Sequence, residues 1–95
     1  MQVYDKASWH IDAGENETDV IQRFKIIFEF LSRNNMLSDE GLEILEIGIE
    51  DSISLHERLL NETGRIFMNK NYDGISGIDN KSLLKELDSR IGSKK

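Results

Sequence analysis

Between Val20 and Leu31 the chain reads VIQRFKIIFEFL, and no other stretch narrows the choice of fold so far. Val20, Phe24, Ile27 and Leu31 recur at the spacing of one helix face. Ile21 and Phe28 widen that stripe on one side, and Ile26 and Phe30 on the other. Gln22, Lys25, Glu29 and Ser32 leave only a narrow polar flank. A helix so broadly apolar needs neighbours over most of its circumference, so the pattern predicts a central helix that organises a small core, with Phe24 and Phe28 as structural anchors. Thr18 fits its N-cap, Asp19 its first turn, and Asn34 with Asn35 its end, giving a helix over 18–33.

The flanking segments supply the neighbours. Ser38 is a second N-cap, with Asp39 and Glu40 in the first turn and Leu42, Leu45 and Ile49 as an apolar stripe ending near Glu50 to Ser52. Residues 53–60 suit two readings: Ile53, Leu55 and Glu57 alternate with Ser54 and His56 as in a strand, whereas Leu55, Leu59 and Leu60 fit a helical turn. Asn61, Glu62 and Thr63 open another helix that brings Ile66, Phe67 and Tyr72 to the core, until Asp73, Gly74, Ser76 and Gly77 break it. A last helix over 80–91 presents Leu83, Leu84 and Leu87. Upstream of Thr18, Val3, Tyr4, Trp9 and Ile11 are separated by polar residues, which predicts an extended arm with room for a short strand. The expected architecture is one mainly α domain: an arm over 1–17, a body of about four helices over 18–91, and a tail over 92–95.

Composition excludes several chemistries. A chain of 95 residues buries about two-thirds or less of its unfolded surface, so its core is small. It has no cysteine, hence no disulfide framework, thiolate zinc site or cysteine nucleophile. A net charge of -6 repels a phosphate backbone, which argues against direct nucleic-acid binding and favours a basic protein partner. No run approaches the eighteen or so apolar residues of a membrane span, and Met1 to Lys6 lack a signal-like apolar stretch, so the expected address is cytoplasmic. The two imidazoles, His10 and His56, stand in no catalytic spacing, and no enzyme activity is expected. Asn69, Asn71, Asp73 and Gly74 imitate the start of a calcium loop, but Asn80 occupies the position of the bidentate glutamate. No metal or other cofactor is expected.

Two features remain. The stretch YDKASWH gathers one of two tyrosines, the only tryptophan and one of two histidines. Its first reading is structural, in which Trp9 packs over an edge of the long helix, Tyr4 assists, and His10 and Asp5 orient one another; its second is contact with a partner. The second feature is an acidic stripe. Asp39, Glu43, Glu46 and Glu50 share one helix face, with Glu40 and Asp51 at its edges, and no lysine or arginine lies between Met36 and Leu55. Like charges at that spacing oppose the helix by a few tenths of a kcal/mol per pair. The stripe is either a solvated face or the docking site of a cationic partner.

With YDKASWH at the start, then RFKIIFEFL, LSDEGLEILEIGIEDSISLHERLL and NETGRIFMNKNYD, the chain resembles small bacterial proteins that open with a Tyr-Asp-Lys-Ala-x-Trp-His signature, members of which look like immunity proteins of polymorphic toxin systems such as contact-dependent growth inhibition. The resemblance covers roughly Tyr4 to Asp73 and is most specific at its start. It implies a non-catalytic protein that neutralises a cognate toxin domain, a nuclease, by protein contact. The alternative is a regulatory or structural interaction module, including a homodimer formed through leftover apolar surface.

Overall fold

The protein is described by a computed structural model over residues 2–91, so the tail expected over 92–95 lies outside the described residues. The chain runs β1 (Val3–Lys6), α1 (Ala7–Asp12), α2 (Glu17–Arg33), α3 (Asp39–Ile47), β2 (Ser54–His56), a 3-10 turn (Glu57–Leu59), α4 (Glu62–Ile75) and α5 (Asn80–Ile91). The architecture is mainly helical with one short two-stranded antiparallel sheet.

The central helix is α2. Val20, Phe24, Ile27, Phe28, Phe30 and Leu31 are all buried, and α1, α3 and α5 pack around it. Its cap is Asn16 rather than Thr18: the Asn16 Oδ1 accepts the Asp19 N–H at 3.1 Å. The helix stops where Asn35 turns to φ 60°, in the left-handed conformation that asparagine tolerates.

The N-terminal segment is only partly an arm. β1 pairs with β2 in the register Val3↔His56, Asp5↔Leu55 and Lys6↔Ser54, with an irregularity between Val3 and Asp5. Such bulges re-aim a side chain, and here Asp5 is buried. The Ala7 N–H then donates to the Ile53 carbonyl at 3.0 Å and the chain turns into the six-residue α1, where an extended segment was expected.

The ambiguous stretch 53–60 is a strand followed by a 3-10 turn, so each half of its pattern is used in succession. The Ser38 Oγ accepts the Gly41 N–H and donates to the Arg58 carbonyl at 2.7 Å, tying the start of α3 to that turn. The tie is close: a Cβ at Gly41 would stand 2.2 Å from the Leu59 carbonyl oxygen. α3 ends at Ile47, short of the expected Glu50, because Gly48 takes φ 124°, a conformation other residues avoid. On α4, Phe67 and Tyr72 are buried as expected, but Ile66 is 62% exposed, and the helix runs through Asp73 and Gly74 to Ile75. The residues that imitate a calcium loop are therefore helical.

Candidate protein-binding surface

The opening signature folds into a hydrogen-bonded knot. β1 carries Asp5 inward, α1 brings His10 back over it, and α4 supplies Tyr72 from the other side. The His10 Nε2 meets both Asp5 oxygens at 2.8 and 2.9 Å, and its Nδ1 meets the Glu15 carboxylate at 2.9 Å. The Tyr72 hydroxyl donates to Asp5, and the Tyr4 hydroxyl donates to Asn69 at 2.7 Å. The His10 ring also stands edge-on to Phe24. Tyr4, His10 and Phe24 thus have specific partners, Phe28 is fully buried, and the Asp5–His10 pairing read from the sequence is present.

Electrostatics follow from that geometry. Burial opposes the His10 imidazolium, but the hydrogen bonds and charges of Asp5 and Glu15 outweigh it and hold the His10 pKa above its ordinary value. Burial, reinforced by the Asp5 carboxylate, pushes the Tyr72 hydroxyl well above the usual tyrosine range. A raised histidine pKa stabilises the fold fully below the unfolded value of about 6.5 and loses that contribution as pH rises through the folded value. The wild type is therefore expected to melt at lower temperature as pH climbs through that window. A His10→Gln variant should lack that component, and thermal melts of both proteins across pH check it.

Trp9 corrects the sequence reading. It is 53% exposed and does not seal the core; the Lys6 ammonium lies 5.7 Å from its ring centre instead. A half-exposed ring with one cation–π contact contributes about 1 kcal/mol, not the several of a buried aromatic. Trp9→Ala should accordingly shift the urea midpoint only slightly, and a loss of about 3 kcal/mol or more would restore the core assignment.

Arg23 was missed. It is buried inside the apolar run and donates to the carbonyls of Ile75, Ser76 and Ile78, holding the end of α4 and the segment after it. Its one local signal is a cation standing within an otherwise apolar stripe.

The acidic stripe is largely as expected. Asp39, Glu40, Glu43 and Glu46 are exposed on α3. Glu50 and Asp51 are exposed too, but on the turn after Gly48 rather than on the helix. None of the six forms an ion pair among the described residues. Leu42 and Ile47, both exposed, are interleaved with them. The C-terminal turn of α3 carries no basic residue, so the negative end of its dipole adds to the field.

Among the described residues no group of three or more His, Asp or Glu side chains is arranged to hold a metal ion, and no helix is long and apolar enough to cross a membrane. No family model, curated protein or solved structure matches this chain.

Proposed function

We propose that this chain is a cytoplasmic immunity protein that binds a cognate bacterial toxin domain, a nuclease, and neutralises it by protein contact without catalysis of its own. One observation carries the reading: six exposed carboxylates without ion partners among the described residues, interleaved with Leu42 and Ile47, on and just after one helix. Apolar residues set among charges of one sign are the anatomy of a docking surface, with anchors at the centre and a rim that steers the partner. A nuclease suits that rim because its own substrate is a polyanion, so its active face is cationic. The signature Tyr4–His10 supports the reading through the resemblance it carries.

The geometry also favours a non-catalytic role. Both His10 ring nitrogens are engaged by carboxylates, which leaves neither to take a proton from a substrate. A homodimer through the same face is disfavoured, because an isologous contact would set the carboxylates of one copy against those of the other.

The test is co-expression. A large secreted protein should be encoded directly upstream, its C-terminal domain should arrest growth alone, and this chain should restore growth and co-purify with that domain. A metabolic operon in that position, or a toxin domain that kills equally with this chain present, ends the proposal.

A further inference from the structure

We infer that the groove at the C-terminal end of α3 is the specificity pocket of this surface, and that it receives one apolar or aromatic side chain carried between arginines or lysines on a basic protein segment. The inference rests on the docking reading above and names the chemistry of the partner's anchor.

The groove has a volume of about 330 Å³ and is lined by Ile44 and Ile47 of α3, Ile53, His56 of β2, Leu59 of the 3-10 turn, and Glu50 at one side. Ile44, Ile47, Ile53 and Leu59 form an apolar wall that suits an apolar inserted group, while Glu50, Ser52, Ser54 and His56 make the rest of the lining polar. Ile47 is 71% exposed, the most exposed large hydrophobic residue among those described, and the fold gains little from it there. The His56 Nδ1 is buried and has no hydrogen-bond partner among the described residues. A nitrogen so enclosed is out of reach of a docked segment, so recognition of the anchor rests on the aliphatic wall and the charged rim.

Charge decides what flanks the anchor. Glu46, Glu50 and Asp51 surround the end of α3, whose dipole is negative there and whose last turn holds no basic residue. An acidic or neutral segment gains nothing from that field, whereas arginines or lysines on either side of the anchor pair with the rim while the anchor is desolvated. A second copy of this chain would bring the same carboxylates to the same rim.

The probe is a blocked peptide with one phenylalanine between pairs of arginines, titrated into the ¹⁵N-labelled protein. Two controls replace the phenylalanine with serine, or the arginines with glutamates. The arginine–phenylalanine peptide alone should move the amides of Ile47, Gly48, Ser54 and His56 saturably. Ile47→Ser, a change at an exposed position, should weaken that binding by about tenfold or more. Equal binding of the serine control, shifts that map elsewhere, an absence of saturable shifts, or an unchanged affinity for Ile47→Ser overturns the pocket, as does a wild-type dimer that Ile47→Ser dissolves. A parallel arm separates this from the toxin reading. If the wild type neutralises the toxin domain and Ile47→Ser binds it as tightly, the pocket fails and the immunity reading stands. If the wild type does not neutralise it, that reading fails, and the peptide titration still decides the pocket.

Discussion

Asp5→Ala is expected to destabilise the protein by about 3–5 kcal/mol, a large share of what a domain of this size has to spare. The Asp5 side chain is 8% exposed and accepts from the His10 ring, the Tyr72 hydroxyl and the Lys6 N–H at once. Removing it leaves the buried Tyr72 hydroxyl without its acceptor and the His10 imidazolium with only Glu15. The knot also joins three elements that local propensity does not hold together: a two-stranded sheet, a six-residue helix without a side-chain cap, and α4. Tyr72→Phe, which removes one hydrogen bond and keeps the ring, should cost about 1 kcal/mol. Asp5→Asn retains an acceptor oxygen and should fall between the two. Urea midpoints of the three variants decide the matter, and a loss below about 1 kcal/mol for Asp5→Ala would mean that the knot is ornamental to the fold.

The contrast between the two ends of the chain shows what sequence patterns encode. α2 was legible because its stripe repeats from Val20 to Leu31 within a seventeen-residue helix and tolerates no other secondary structure. The caps Ser38 and Asn61 were legible because a cap is a local hydrogen bond, here to the N–H three residues on. α1 was not: it spans less than two turns, buries only Ala7, and is held by contacts with Asp5 and Phe24 that the local pattern does not contain. The same gap misplaced Trp9, since a helix this short can face either way and its orientation is set by the His10 bonds. Arg23 escaped notice because its partners lie more than fifty residues away. Ile66 was expected beside Phe67 in the core, but adjacent positions on a helix do not share a face, and only one of the pair is buried.

That division bears on function. Around the opening signature the reactive side chains are consumed by the fold: Asp5 and His10 are bonded to each other and to Tyr72 and Glu15. On and around α3 the reverse holds, with carboxylates that lack ion partners among the described residues and apolar side chains in water. Stability is concentrated in the first region and unsatisfied chemistry in the second. A docking protein requires that arrangement, because a partner can be bound strongly only by groups that the folded chain has left available.

The double substitution Glu43→Lys and Glu46→Lys tests this division at its strongest. It should not harm folding. The two glutamates repel Asp39, Glu40 and Glu50 in the wild type, and lysines at these positions would attract them while placing positive charge near the negative end of the α3 dipole. The melting temperature should stay level or rise. Binding to the proposed basic toxin domain should move the other way, by about a hundredfold or more, because attraction at two positions becomes like-charge contact worth several kcal/mol. Glu43→Gln with Glu46→Gln removes charge without reversing it and should give an intermediate loss. Screening supplies the decisive control: raising ionic strength should weaken the wild-type complex, leave the glutamine variant less affected, and narrow the gap between wild type and the lysine variant. Association and dissociation rates measured at low and high salt read all three outcomes. A lysine variant that folds as well as the wild type and binds the toxin domain with unchanged rates and salt slope would make α3 an ordinary solvated face and move recognition elsewhere on the molecule.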